Sequence, residues 1–425
     1  MLFVKTRRNV IKFLLFLLTN KGKKMNNFAR YALLIVAPCA VFQPLGMDIF
    51  VSGIPVMLES LNITEQKMQF LLVSYVIASS LPQLIMGKLS DIYGRKPLIV
   101  MACLGFLITS YLCATTHNLY QLTLFRFFQG LSAATALVVV YAIIRDIYHD
   151  NESAKMYSYI TCILALTAML APLLGAVIMD YFNDWESTFY FLTFFSAIAL
   201  MVSLLKLPET HKGKKKTSVQ QINSIINQNA YKIILTSSTF WTFTICTTMV
   251  MTGLFLYFSI GSILLMKRLE LSSYMYSLLF GLNACFYLSG NYISSLLLNR
   301  LKLIQIIFFG NYLVLIGASA MLLSNYCLSF SVLYIVLSNS LITFGGGLVM
   351  GPATSETLRP FGNHAGTASG IFGAIQYGLP AFIGLIVTRF EMTSTLPLAG
   401  PILALSLLNF YLLRRTNKRA VFDVT

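Results

Sequence analysis

Continuous apolar stretches of about 20 residues recur along the whole chain, and no other feature narrows the fold as far. They lie near 31–58, 68–87, 97–116, 119–144, 155–180, 187–207, 237–264, 272–298, 303–323, 328–352, 365–388 and 395–413. A bilayer core of roughly 30 Å demands about 20 apolar residues of helix, so the pattern reads as twelve transmembrane helices. Barrel strands would be about 10 residues long and alternate with period two. These runs are unbroken and about twice that length, which makes the chain an all-α membrane protein. Spread over 425 residues, each span and its loop receive about 35, which leaves no room for a separate soluble domain. Charged side chains make up only 11% and mean hydropathy is +0.74. A soluble domain carries about 25% charged residues, so soluble and disordered chains are excluded.

The net charge of +16, from 31 Lys and Arg against 15 Asp and Glu, first suggests a nucleic-acid binder. The apolar majority rules that partner out, and the lipid bilayer takes its place. With a cytoplasmic N-terminus, 26 of the 31 cations fall on the inner side and four on the outer side (Lys67, Lys267, Arg268 and Arg389). That asymmetry follows the positive-inside rule and places both termini in the cytoplasm. The remaining cation, Arg126, lies within a span. The inner segment 208–236, with Lys212, Lys214, Lys215 and Lys216, separates six spans in 25–207 from six in 237–413, and 414–425 forms a cytoplasmic tail. Such a lysine run reads as a solvated linker beside anionic headgroups. In residues 1–24 a short apolar run, Phe13 to Leu18, is followed by Lys21, Lys23 and Lys24 instead of a small-residue cleavage site. It reads as a surface extension or an over-called start before Met25.

Seven cysteines (Cys39, Cys103, Cys113, Cys162, Cys246, Cys285 and Cys327) sit in or beside apolar runs without a CxxC pair, as small buried hydrophobes would. Four scattered histidines (His117, His149, His211 and His364) suggest no metal site. The Gly-Lys pairs at Gly87 and Gly213 have Pro82 and Pro208 where a P-loop needs its first glycine. GxSxG and HExxH patterns do not occur. An ATP-driven pump and a membrane enzyme are both disfavoured, and no cofactor is expected.

Between spans two and three the chain reads Gly87-Lys-Leu-Ser-Asp91-Ile-Tyr-Gly94-Arg95-Lys96. Glycines allow a tight reversal, and Asp91 could pair with a cation or with a helix N-terminus, as a cytoplasmic latch would. The stretch resembles the loop signature G-x-L-(S/A)-D-x-x-G-R-(K/R) of the major facilitator superfamily, with Ile92 where a basic residue is common. A second signature fits Leu122, Arg126, Gln129 and Gly130 in span four. Ala171-Pro172-Leu-Leu-Gly175-Ala176 in span five is similar to the antiporter motif of superfamily exporters. Asp48 and Pro55, Arg145-Asp146, Leu207-Pro208-Glu209-Thr210 and Ala365-Gly366-Thr367-Ala368-Ser369 together resemble the Bcr/CflA group of drug:proton antiporters. The second half lacks a good copy of the loop signature, keeping Gly290 and Asn299-Arg300 near the corresponding place. The resemblance covers residues 25 to about 415. It implies two six-helix bundles in the major facilitator fold, an inner-membrane location and proton-driven export of drug-like, amphipathic small molecules. Export of one native metabolite, such as a siderophore or amino-acid derivative, and proton-coupled import are the alternatives. The protein is expected to act as a monomer.

Asp48 and Arg126 are the charges clearly inside spans, where ionised groups cost several kcal/mol (roughly 2.5–3.5 by insertion scales) and invite a functional reason. Helical rise puts Asp48 about 15 Å and Arg126 about 10 Å below the outer surface. They read either as a structural ion pair or as a proton-coupling pair in which cargo and proton compete for Asp48. The resemblance favours coupling. Pro38, Pro44, Gly46, Gly53 and Pro55 interrupt span one, as suits a helix lining a cavity. Pro172 and Gly175 are read as a hinge in span five, whereas Gly345 to Gly347 suit a hinge or close packing equally. Tyr75, Gln83, Gln129, Asn283, Tyr287 and Gln376 are candidates to line the substrate cavity, or else to bond between helices. Glu356, Arg359 and His364 belong to a gate or loop between spans ten and eleven.

Overall fold

The computed structural model describes residues 27–148, 150–210, 228–298, 300–327, 331–387, 389–390 and 394–422. Expectations for residues 1–24, for the Lys212 to Lys216 run, and for His149, His211 and Asn299 lie outside these. Among the described residues every regular element is a helix.

The first half holds α1 (Asn27–Ala40), α2 (Phe42–Asp48), α3 (Ile54–Ser60), α4 (Glu65–Tyr93), α5 (Arg95–Thr115), α6 (Leu119–Ile147), α7 (Asp150–Phe182) and α8 (Glu186–Lys206). The second half holds α9 (Gln228–Thr236), α10 (Ser238–Leu256), α11 (Ser273–Leu297), α12 (Leu303–Cys327), α13 (Val332–Leu358), α14 (Ala365–Val387) and α15 (Leu396–Phe422). Among the described residues, eleven helical spans are long and apolar enough to cross a membrane. The expected span 272–298 folds as the 25-residue α11, but Asn283, Asn291 and five serines among Ser273, Ser277, Ser289, Ser294 and Ser295 make it less apolar. The segment 208–236 contains the helix α9, and α15 continues into the expected tail as far as Phe422.

Side-chain caps set several helix starts. Thr64 accepts the Lys67 amide, Asn118 those of Tyr120 and Gln121, Ser237 that of Phe240, and Ser272 that of Met275. Each satisfies an amide that the first turn leaves without a helical partner. Inside the bundle, small residues let backbones approach. Gly345, Gly346 and Gly347 of α13 face Gly310, Val250 and the Tyr287 carbonyl respectively, so this triplet seats three neighbouring helices while α13 runs unbroken. Cys39, Cys103, Cys113 and Cys246 are buried, but Cys162 and Cys285 are exposed, against expectation for those two.

The halves touch chiefly where α4 packs along α14 and α7 along α11. The end at which the chain passes from Thr210 to Gln228 is called the linker end below, and the opposite end the distal end.

Candidate functional site

Span one breaks at Val41, three residues before Pro44, and again through Gly53, whereas Pro38 and Gly46 lie within helices. A turn at Val41 separates α1 from α2, and a bend at Ile49 and Phe50 leads into a 3-10 turn, Val51–Gly53, before α3. Pro44 has no amide to donate, and the break leaves carbonyls for outside partners. The Tyr75 hydroxyl of α4 donates to the Phe42 carbonyl at 3.1 Å and shares the Gln43 carbonyl at 3.0 Å. One turn on, the Gly46 carbonyl accepts Arg126 Nη1 at 2.7 Å. A Cβ at Gly46 would come within 2.8 Å of the Tyr75 oxygen, so a side chain there would displace the phenol.

Arg126 is 1% exposed and occupies an aromatic box. Its Cζ lies 4.4 Å from the Phe50 ring centroid, 4.3 Å from Tyr75 and 5.8 Å from Phe189. Nη1 also donates to Gln129 Oε1 at 2.7 Å, and Gln129 Nε2 donates to Ser110 Oγ at 2.7 Å. A buried cation is therefore held by ring faces and neutral oxygens. Asp48, at the C-terminus of α2, is 5% exposed. It lies within electrostatic reach of Arg126, of Tyr75 and of Tyr276 in the second half. No ion pair joins Asp48 to Arg126, and among the described residues its carboxylate accepts no hydrogen bond. The direct pair considered from sequence is replaced by two neighbouring buried charges, of which only the cation has hydrogen-bond partners. Gly175 of α7 packs on this break, where a Cβ would overlap the Ile49 carbonyl oxygen. Helix α7 passes through Pro172 and Gly175 without interruption.

The loop-signature residues gather at the linker end. Arg95 is buried and ion-paired to Asp91 at 2.5 Å and to Asp146 at 2.8 Å, and its Nη1 donates to Ser90 Oγ. Arg145 lies 3.8 Å from Asp91. The helix N-terminus that seemed suited to Asp91 is taken by another acid. Glu209 accepts the Arg95 amide at 2.9 Å and the Lys96 amide at 3.1 Å, capping α5. Lys96 Nζ donates to the Leu204 carbonyl at 3.0 Å. Gly94 has φ +95, and a Cβ there would meet the Glu209 carboxylate at 2.5 Å, so both conformation and space call for glycine. Gly87 joins the cluster through its carbonyl, which accepts Ser90 Oγ at 2.7 Å, while a Cβ built on it would meet Val138 at 4.0 Å.

In the second half, Asn283 Nδ2 donates to the Tyr257 hydroxyl at 3.1 Å and the Leu279 carbonyl at 2.8 Å. Its Oδ1 accepts from Asn339 at 3.0 Å and Ser340 at 3.3 Å. The other cavity candidates divide by surroundings. Tyr75 and Gln129 serve the Arg126 box. Gln83 packs on Gly370 and Gly373 of α14, in the seam between the halves. The Tyr287 carbonyl faces Gly347, and Gln376 Nε2 approaches the Met350 sulfur at 3.7 Å. Glu356 and Arg359 pair with each other at 3.3 Å.

With this geometry in view, comparison with known families is decisive: the profile of the Major Facilitator Superfamily matches residues 36–385. The chain belongs to the major facilitator superfamily. As a member it is a multi-span membrane protein of a transporter family. Among its relatives, the multidrug resistance protein MdtL of Shewanella oneidensis is 27% identical over 354 residues, covering 83% of this chain and 87% of that protein. The bicyclomycin resistance protein homolog of Haemophilus influenzae is 22% identical, covering 90% and 95% respectively. A bacterial homolog of the human lysosomal transporter Spinster, solved inward-facing and unoccupied, shares the fold with a TM-score of 0.70 at 15% identity, over 92% of this chain and 96% of that one.

Several site residues of this superfamily member could not be singled out by role from sequence. Asp146 and Glu209 were visible only as marks of resemblance, yet they converge on Arg95 from positions 51 and 114 residues away. Phe50, Phe189, Asn339 and Ser340 carry no mark in the sequence that sets them apart from other aromatic or polar residues of the spans. The signal that could have picked out Glu209 is an acid just past a helix end, since such a group readily caps a neighbouring helix start.

Proposed function

We propose that the protein is a secondary active exporter in which proton entry drives the outward passage of drug-like, amphipathic small molecules by alternating access. One observation carries the coupling part of this reading. Among the described residues Asp48 is a buried carboxylate without an ion pair or hydrogen bond, beside an arginine whose hydrogen bonds go to neutral oxygens. A carboxylate so placed is available to a proton or to a cationic group of the cargo, and Arg126 biases which of them it takes. The resistance proteins among the relatives support export and a drug-like cargo. In this reading α11 completes twelve spans in two six-helix bundles, the linker end and both termini face the cytoplasm, and the distal end faces outward. The protein works as a monomer in the bacterial inner membrane. Asp91, Arg95, Lys96 and their partners form a cytoplasmic gate, and Pro172 and Gly175 give α7 its hinge. Asn283, Tyr287, Gln83 and Gln376 face or flank the cargo path.

The test is efflux of labelled compounds from cells expressing the protein, with and without an uncoupler. Asp48→Asn should abolish gradient-driven efflux while the protein remains folded in the membrane. Unchanged efflux in that variant, or efflux that survives collapse of the gradient while ATP is present, would refute the coupling.

A further inference from the structure

At the distal end the two halves meet through a cluster that belongs to neither signature. Glu65, the first residue of α4, is paired with Lys267 at 3.0 Å and Arg268 at 3.8 Å, and its side chain is only 14% exposed. Beside it Ser273 Oγ donates to the Ser52 carbonyl at 2.9 Å, and the Tyr274 hydroxyl donates to Asp180 at 3.4 Å. The distal end of the seam is thus joined by ion pairs and hydrogen bonds between the halves.

Two features show that this closure is finely balanced. Lys267 and Arg268 are the last residues of a stretch wound as π-helix, Tyr257–Gly261 and Ile263–Arg268, that continues α10. The wide winding carries past its end, where the Leu269 amide bonds to the Leu264 carbonyl. Such winding is rare beyond a single turn and concentrates at functional sites. Rewinding it as α-helix would turn both cations about the helix axis and lengthen the segment, displacing them from their present places against Glu65. The second feature is Gln69, one turn along α4 from Glu65 and 1% exposed, with neither amide atom hydrogen-bonded among the described residues. An unpartnered buried amide disfavours the closed arrangement by roughly fivefold or more in its equilibrium.

We propose that Glu65, Lys267 and Arg268 form the latch of a distal gate. It is held shut by the cross-half ion pairs, opposed by the buried Gln69 amide, and released when the π-wound segment changes its winding. This rests on the alternating-access reading above. It adds the residues that hold the distal end, and it gives the two outer cations next to α10 a role beyond topology.

Amide hydrogen exchange of the full-length protein in lipid nanodiscs, without cargo or gradient, tests it on peptides covering 54–72 and 262–276. Glu65→Gln should speed exchange about two- to fivefold in both segments, the range expected of partly exposed ion pairs. Gln69→Leu should slow it roughly fivefold or more, by removing the orphan amide. Glu65→Gln also weakens the N-terminus of α4, so a charge-swapped protein (Glu65→Lys with Lys267→Glu and Arg268→Glu) is measured alongside, and its protection should return towards the parent. Unchanged exchange in Glu65→Gln, a shift of both single variants in one direction, or a charge-swapped protein as fast as Glu65→Gln would overturn the latch. Exchange requires neither cargo nor proton gradient, so its result stands apart from the efflux experiment on Asp48.

Discussion

Replacing Glu209 with Gln is the sharpest probe of the linker-end cluster. The carboxylate accepts the Arg95 amide at 2.9 Å through one oxygen and the Lys96 amide at 3.1 Å through the other. These are two of the first-turn amides that α5 leaves without helical partners, Pro97 having none to donate. Hydrogen bonds to a charged acceptor contribute about 1.5–3 kcal/mol each, and a negative group at a helix N-terminus adds about 0.3–1 kcal/mol. Glutamine has the same length but offers one oxygen, and its NH2 group turns towards the second amide. Losing one charged bond and the dipole interaction should cost about 2–4 kcal/mol. For domains of 150–250 residues each kcal/mol lowers Tm by about 2–4 °C, and less in a longer chain, so a drop of several degrees is expected. Thermal unfolding of the purified protein in detergent reads this directly. Glu209→Asp, which keeps the charge on a side chain one methylene shorter, should fall between parent and Gln variant. A Gln variant melting within about 1 °C of the parent, or an Asp variant less stable than the Gln variant, would refute the capping argument.

Arg126→Lys keeps the charge but loses the planar fork and the stacking on Phe50 and Tyr75. It should lower stability by about 2–3 kcal/mol and abolish transport, and parent-rate efflux by this variant would count against the aromatic box. Gly175→Ala forces a methyl into the Ile49 carbonyl and to within 2.9 Å of Ser52 Oγ. It should cost about 1–3 kcal/mol in a denaturation experiment and slow efflux, whereas an unaltered protein would mean that α7 can draw back freely.

How far the site could be read from the chain differs from residue to residue. Asp48 and Arg126 stood out because an ionised side chain inside an apolar run is costly wherever the helix packs. The breaks in span one were equally legible, since proline lacks an amide whatever surrounds it. The partners of those groups were not legible. Arg126 might have met Asp48 at the depths given by helical rise, but the rotation of α2 and α6 brings it the Gly46 carbonyl and Gln129 instead. Asp91 was the natural acid for a helix start, yet Glu209 arrives there from the end of α8.

Sequence by itself determined the solvent, the element type and the places where a span cannot be regular. Each follows from local chemistry: about 20 apolar residues must cross lipid as helix, and backbone groups in lipid must bond within the segment. It marked 272–298 as a span like the others but not the partners of its polar groups: Asn283, one of the residues that lower its apolarity, bonds Asn339 and Ser340. Only the tertiary structure decided which buried charge has partners, which acid caps α5, and which residues join the halves at the distal end. Those depend on helix rotation and on contacts between residues as far apart as Glu65 and Lys267. In lipid, where apolar side chains gain little by facing one another, packing of small residues and scattered polar bonds sets that arrangement.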